Sequence, residues 1–291
     1  MREVNDSLLA NGGKNMRPAL CLLMARACGG VTDDTLRYAA AVELLHNSTL
    51  LHDDVADNSD MRRGVPTLKS MLGPVPAVLV GDFWLARSIE LVLGSGYSDW
   101  ALKAFSKTLT DLAEGEMLQQ QKASNCDTSE DDYLQIIYCK TASLFELSCM
   151  SAARSVNASD EVFAASQAYG KAVGIAYQIR DDILDSEGGD IGKPSGHDLK
   201  ERKITLPLLG ALQNSPDSAA VVRELVRTIP VRPENVEKVN AFIRENGGLE
   251  YAWKVLHGYI DQAIAALDVL PSSPEKGFLT EFGHLNETRE K

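Results

Sequence analysis

Apolar residues recur at helical spacing along almost the whole chain, and alternating apolar and polar runs are nearly absent. The pattern predicts helices over residues 35–55, 76–93, 98–122, 159–185, 219–228, 233–245 and 249–270. Thr128-Ser129-Glu130-Asp131 fits a capping box that opens a further helix to about residue 156. One all-α domain over residues 1–291, with about ten or more helices, is therefore predicted.

Two segments lack the helical pattern. Residues 58–74 and 186–203 are rich in Gly and Pro, and each directly follows a helix end that is rich in Asp. Loops in this position can close over a binding site. We therefore expect both loops to border the same functional region.

Composition and charge narrow the class of protein. The chain is 44% hydrophobic and carries 29 basic against 41 acidic residues, a net charge of −12. This charge disfavours unaided binding to nucleic acid or to an anionic membrane surface. No signal peptide or membrane-spanning segment is predicted. The five cysteines have no metal-ligand spacing, so we expect reduced thiols in a cytoplasmic protein.

Two aspartate clusters with the same spacing carry the candidate chemistry. They are Asp53-Asp54-Val55-Ala56-Asp57 and Asp181-Asp182-Ile183-Leu184-Asp185. Alone, such a cluster is typical of a solvated helix face, but both of these end helices that are mainly apolar. Like charges about 4 Å apart repel by roughly 4 kcal/mol at an effective dielectric constant near 20. Carboxylates in that setting need cations, and oxygen ligands favour Mg²⁺ bridged to substrate phosphates.

Basic residues near the clusters fit phosphate groups. They are Lys14 and Arg17, Arg62 and Arg63 after the first cluster, Lys140 in mid-helix, and Lys193 and Lys203 in or after the second loop. Taken singly, the arginine pair is typical of a surface turn, and Lys140 of a side chain that reaches to solvent. Together they indicate pockets for an anionic substrate, because metal and local bases reverse the sign of the charge.

At this point the sequence resembles the trans-isoprenyl (E-polyprenyl) diphosphate synthases of medium- or long-chain type. The matching segments come in the family's order: residues 13–18, 51–57, 61–67, 81–82, 140–142, 178–185, 192–194, 198–199 and 203–207. The resemblance implies an all-α bundle around a central cavity. It also implies condensation of isopentenyl diphosphate with an allylic diphosphate, three Mg²⁺ ions and a homodimer.

The resemblance also implies residue roles. Asp53, Asp57 and Asp181 would hold Mg²⁺ directly, and Asp54, Asp182 and Asp185 would help, partly through water. The allylic diphosphate would be held by Arg62, Lys140, Gln178, Lys193 and Lys203. The diphosphate of isopentenyl diphosphate would be held by Lys14, Arg17, His46 and Arg63. Thr141 would support the carbocation beside Lys140.

The small residues Ser48 and Thr49, which lie about one turn before Asp53, indicate the length of the product. In short-chain relatives bulky aromatic residues at such positions block the growing chain. Small side chains here predict a medium- or long-chain product, because each buried methylene contributes about 0.8 kcal/mol.

Other functions remain open at this level. A short-chain (geranylgeranyl-type) synthase or a class I terpene cyclase could use the same first Asp cluster. A cyclase needs no second diphosphate site, however, so it would not require Lys14, Arg17 and Arg63. A regulatory subunit typically loses its Asp motifs. A di-metal carboxylate bundle would need two Glu-x-x-His pairs, and the second candidate, Glu281 with His284, lies in a tail where we predict no clear helix.

Overall fold

The computed structural model describes residues 13–62, 64–187 and 196–288, and almost all of them are helical. The helices of the first part are α1 Met16–Cys28, α2 Asp33–Ala56, α3 Leu68–Leu72, α4 Pro74–Leu93, α5 Ser98–Asn125, α6 Glu130–Ile137, α7 Ser143–Ser155 and α8 Asp160–Glu187. Those of the second part are α9 His197–Lys200, α10 Leu206–Asn214, α11 Ala219–Thr228, α12 Asn235–Glu245, α13 Gly248–Ala266 and α14 Pro274–Thr288. The all-α prediction is confirmed.

Two compact units make up the chain. Unit 1 consists of residues 1–106, 147–164 and 270–276, and unit 2 of residues 107–146, 165–269 and 277–291. The helices α5, α7, α8 and α14 contribute residues to both units. The single domain predicted over residues 1–291 stays a prediction.

In unit 1, α2 packs along α4, and this contact buries the middle of both helices. Leu51, Leu68, Ala77, Val80 and Trp84 form a core cluster at this contact. A capping box between Thr32 and Thr35 begins α2, because each hydroxyl accepts the other residue's backbone N–H. The first Asp cluster therefore lies at the C-terminal end of a helix that is fixed at both its start and its core.

In unit 2, helix α10, which is apolar from Leu206 to Leu212, packs against α13. Around this contact lies a large core that includes Ile179 and Ile183 of α8. Those two residues lie on either side of Asp181 and Asp182 in sequence, so the second Asp cluster is carried by a helix whose apolar face is anchored in the core.

The helix predicted over residues 130–156 is wrong in two details. The N-cap is Ser129, which forms its capping box with Asp132 rather than the expected box from Thr128 to Asp131. The helix is also interrupted by a π-helical turn, Tyr138–Ala142, where the backbone N–H of Ser143 reaches the carbonyl of Tyr138. One extra residue is inserted in this turn, and such π-turns frequently mark functional sites.

Three segments expected to be irregular contain regular structure, and one of them, residues 186–203, contains α9. Within residues 58–74 the structure places α3 and a small antiparallel pair of strands, Met61–Arg62 with Val65–Pro66. The C-terminal tail, which gave no clear pattern, forms α14. No helix in the described ranges combines the length and the apolar composition needed to cross a membrane.

Candidate active site

The first Asp cluster closes α2. Asp57 is the C-cap residue of this helix, Asp53 is half-buried one turn earlier, and Asp54 is buried. The Asp54 Oδ1 accepts a hydrogen bond from the Arg62 Nε at 2.7 Å. Arg62 lies on the first strand of the hairpin, so the charge pair attaches this hairpin to the end of α2.

The hairpin is further held by its own polar contacts. The Lys69 ammonium bonds the Asp60 carboxylate at 2.8 Å and the Asn58 carbonyl at 3.1 Å. The Thr67 hydroxyl donates to the Ser59 carbonyl at 2.8 Å. These contacts hold the segment that follows the first Asp cluster, to which Arg62 belongs.

The second Asp cluster lies near the end of α8. Asp181 is half-buried and Asp182 is 3% exposed. Both oxygens of Asp185 accept backbone N–H groups, Oδ1 from His197 and Oδ2 from Asp198, each at 3.1 Å. Asp185 therefore connects the end of α8 to the start of α9.

A cavity of about 260 Å³ lies in unit 2 beside this cluster. Its polar wall is formed by predicted site residues together with others that the sequence did not single out: Lys122, Tyr133, Lys140, Thr141, Gln178, Asp182, Asp198 and Lys203. Ammonium groups and hydrogen-bond donors that converge in one cavity suit a phosphate-bearing ligand.

The π-turn brings both Lys140 and Thr141 to this cavity. Lys140 forms an ion pair with Glu116 of α5. The close approach of the two helices requires Gly115, because a Cβ there would lie 2.6 Å from the Cβ of Cys139. The Gly115-Glu116 dipeptide is the sequence signal that could have revealed this contact.

Thr141 belongs to a hydrogen-bond chain that the sequence did not reveal. Its hydroxyl bonds the Gln178 Oε1 at 2.8 Å, and the Gln178 Nε2 bonds the Asp182 Oδ1 at 2.9 Å. The Tyr133 hydroxyl donates to the Asp182 Oδ2 at 2.7 Å. Tyr133 stands seven residues before Lys140, two helical turns away, and this spacing is the available signal.

Burial dominates the electrostatics of the acidic wall. It raises the pKa of Asp182 well above its usual range, the nearby Asp198 raises it further, and the hydrogen bonds from Tyr133 and Gln178 oppose the shift. Burial, followed by the charge of Asp185, raises the pKa of Asp198 to about 6. The wall thus holds more negative charge than its surroundings stabilise, which favours a cation at this place.

Lys203 keeps its positive charge beside these acids. Burial lowers the pKa of Lys203, but the carboxylates of Glu201, Asp198 and Glu116 outweigh burial, so the pKa lies above its ordinary value. Burial raises the pKa of Glu116, but the nearby Lys140 outweighs burial, so that pKa lies below its ordinary value. Lys203 is therefore a cation in the cavity at neutral pH, and Lys140 lies in the same wall, paired with Glu116.

The remaining predicted residues lie in unit 1 or outside the described residues. Lys14 is exposed just before α1, Arg17 is half-buried in its first turn, and His46 is half-buried on α2. Ser48 is fully buried and Thr49 half-buried, and their hydroxyls donate to the carbonyls of Leu45 and His46. Arg63 and Lys193 lie outside the described residues.

The donor chemistry fits a hard divalent cation. Both clusters offer carboxylate oxygens, which Mg²⁺ prefers. In the part of the chain that the structure describes, no three His, Cys, Asp or Glu side chains stand close enough to hold an ion by themselves. Mg²⁺ usually takes only one or two carboxylates and completes its shell with water and substrate phosphates, so these clusters suit an ion that binds together with a diphosphate.

Comparisons with known proteins identify the family of this chain. The family described as polyprenyl synthetase matches residues 1–245. The octaprenyl diphosphate synthase of Escherichia coli (strain K12) is 37% identical over 287 residues, which cover 98% of this chain and 88% of that protein.

Solved structures give the same picture. A decaprenyl diphosphate synthase from Rhodobacter capsulatus has a TM-score of 0.90 at 35% identity and covers 99% of this chain and 90% of its own. A polyprenyl synthase from Caulobacter crescentus CB15, complexed with calcium and isoprenyl diphosphate, has a TM-score of 0.87 at 34% identity. The match covers 98% of this chain and 88% of that chain.

These comparisons define a prenyltransferase, and the fold gives it an all-α scaffold. The chain belongs to the polyprenyl synthetase family, as the sequence predicted, and its relatives place it with the medium- and long-chain polyprenyl diphosphate synthases.

Gly115→Ala should lower the free energy of unfolding by about 1–3 kcal/mol, because the new methyl group overlaps Cys139 and the Lys140 side chain. The matched control is Gly258→Ala in α13, where a Cβ meets nothing within 4 Å and a gain of up to about 1 kcal/mol is expected. Urea denaturation of both variants measures the difference. Equal shifts of the same sign would contradict the close contact at Gly115.

Proposed function

We propose that this protein condenses isopentenyl diphosphate head-to-tail (1′–4) with an allylic diphosphate and releases diphosphate. The product is a medium- or long-chain trans-polyprenyl diphosphate. The observation that carries the proposal is the cavity in which Lys140 and Lys203 lie beside Thr141, Gln178 and the second Asp cluster. This wall supplies cations for a leaving diphosphate and neutral oxygen dipoles for a carbocation.

Asp53, Asp57 and Asp181 are proposed to hold Mg²⁺, three ions in all, with Asp54 and Asp185 helping, partly through water. Asp54 accepts a hydrogen bond from Arg62 through one oxygen, and Asp185 accepts two backbone N–H groups, so both residues also fix the helix ends that carry the clusters. When bound, Mg²⁺ supplies Lewis-acid stabilisation of the diphosphate.

The residues proposed to contact the phosphate groups are those that the family resemblance implies. Lys140, Gln178 and Lys203 hold the allylic diphosphate together with Arg62 and Lys193. Lys14, Arg17, His46 and Arg63 hold the diphosphate of isopentenyl diphosphate. The exposure of Lys14 and the partial burial of Arg17 and His46 leave side chains that can reach a ligand.

The chain's own residues are proposed to act through charge and position. The lysine ammonium groups stabilise diphosphate as the allylic C–O bond breaks. The Thr141 oxygen lies beside the resulting cation, and the double bond of isopentenyl diphosphate attacks that cation. A proton leaves the new carbon skeleton for the departed diphosphate, so no protein nucleophile or base is required.

The direct test is to incubate the purified protein with Mg²⁺, an allylic diphosphate and labelled isopentenyl diphosphate. Label in a polyprenyl product supports the proposal. A terpene cyclase would incorporate no label but consume the allylic substrate. No reaction by the protein alone would point to a regulatory subunit.

Asp53→Ala and Asp181→Ala should each reduce turnover by about two or more orders of magnitude, because each removes a proposed Mg²⁺ ligand. Asp217→Ala, an exposed acid in the short helix Pro216–Ser218, is the matched control and should keep normal turnover. Circular dichroism checks that every variant is folded. Near-normal turnover in either motif variant would contradict the metal roles.

Thr49→Phe should shorten the product, because Thr49 lies one turn before Asp53 on the same face of α2. Thr49→Val changes the polarity without adding bulk, so its product length should stay as in the wild type. Chromatography of the dephosphorylated products measures both lengths. Unchanged lengths in Thr49→Phe would contradict the proposed direction of chain growth; Ser48 is fully buried and makes a poorer test site.

A homodimer through α4 is also proposed. One face of this helix packs on α2 with Ala77, Val80 and Trp84, but the other presents Val75, Leu79 and Phe83 on successive turns, and these are 67%, 61% and 41% exposed. Apolar residues on both faces are typical of a helix buried on both sides. A second copy of the chain is the partner that this stripe fits best.

Phe83→Glu should convert the dimer into a monomer, because a carboxylate would be buried in the apolar stripe. Val231→Glu introduces the same change at a 79% exposed valine elsewhere and serves as the control. Light scattering coupled to size exclusion measures the mass. A monomeric wild type, or a dimeric Phe83→Glu protein, would refute the interface.

We also propose that the enzyme acts in the cytoplasm. The five cysteines form no disulfide bond with one another, and four of them are buried, which supports a reducing compartment.

A further inference from the structure

Tyr133 lies at the start of a hydrogen-bond chain that runs along the wall of the cavity. It is 3% exposed on α6, and its hydroxyl bonds the equally buried Asp182 at 2.7 Å. From Asp182 the chain continues through Gln178 to Thr141, with bonds of 2.9 and 2.8 Å. All four residues line the cavity, so a change at one end can reach the other.

The hydrogen bonds of the structure run in one direction along the chain. The Asp182 oxygens accept from both neighbours, from the Tyr133 hydroxyl and from the Gln178 NH₂ group. The amide oxygen of Gln178 then points to Thr141, whose only hydroxyl proton is donated to it. The Thr141 oxygen is left with lone pairs alone for any group in the cavity.

We infer that Tyr133 is a positioning residue for the prenyl transfer: through Asp182 and Gln178 it holds Thr141 in the orientation that presents lone pairs, and no proton, to the cavity. The inference rests on the proposed function, since lone pairs stabilise an allylic cation and an O–H proton would oppose it. Asp182 then acts through Gln178, with both of its oxygens occupied by protein donors, and not as a ligand of Mg²⁺.

The principal test is Tyr133→Phe, which removes one hydroxyl and leaves the ring. Loss of the bond to Asp182 frees one of its oxygens, so Gln178 can rotate and Thr141 loses its fixed direction. We expect kcat to fall about tenfold. The KM for isopentenyl diphosphate and the Mg²⁺ concentration for half-maximal activity should stay unchanged.

The matched control is Tyr169→Phe in α8. Tyr169 is fully buried, and its hydroxyl also donates one buried bond, to the Leu279 carbonyl at 2.6 Å. Its loss should lower the melting temperature about as much as Tyr133→Phe does, but it should leave kcat within about twofold of the wild type. A purely structural role of Tyr133 would make the two variants alike in kcat.

A double variant tests the connection to Thr141. Thr141→Val removes the hydroxyl that Tyr133 is inferred to orient, so Tyr133→Phe should have no further effect on kcat in that background. Independent, multiplying effects of the two substitutions would overturn the inference, as would a normal kcat in Tyr133→Phe.

Asp182→Asn provides a second route if Tyr133→Phe does not fold. The asparagine keeps the shape but can donate to Gln178 and so reverse the chain. We expect a reduced kcat with unchanged Mg²⁺ dependence, whereas a large rise in the Mg²⁺ requirement would make Asp182 a metal ligand and overturn the inference. An inactive wild type would instead refute the proposed function.

Discussion

An acidic protein that handles a diphosphate must first overcome the repulsion between like charges. This chain carries a net charge of −12, and its candidate site adds buried carboxylates such as Asp182 and Asp198. Lys140 and Lys203 supply fixed positive charge in the same cavity, but burial leaves the acids short of compensation. This charge balance supports the proposal that a divalent cation and a diphosphate bind to the site together.

Local backbone features place the groups that solve this problem. The π-turn Tyr138–Ala142 directs Lys140 and Thr141 to the cavity, and Gly115 lets α5 approach closely enough for Glu116 to pair with Lys140. Asp185 accepts two backbone N–H groups from the start of α9. Each feature converts a helix-packing contact into a fixed position for a charged or polar side chain, which is what electrostatic stabilisation of a transition state requires.

Sequence patterns were sufficient to predict a helix and its ends where the helix buries only one face. An example is α11, whose predicted bounds match the structure. They failed for α14, because its exposed Phe278 and Leu285 blur the apolar face. The hairpin after the first Asp cluster was missed because two-residue strands show no alternation. The π-turn was missed because its apolar residues follow the same pattern as those of an α-helix. The positions of Tyr133 and Asp198 in the cavity wall were missed because they depend on contacts between distant segments, which no local pattern encodes.

The most direct measurement is calorimetric titration of the wild-type protein with a non-reactive allylic diphosphate analogue, with Mg²⁺ and with a chelator in its place. The account predicts tight binding with Mg²⁺ and at least about a hundredfold weaker binding without it, because the carboxylates then face the diphosphate uncompensated. Equal affinity under both conditions would show that the lysines suffice and that the Asp clusters serve another purpose.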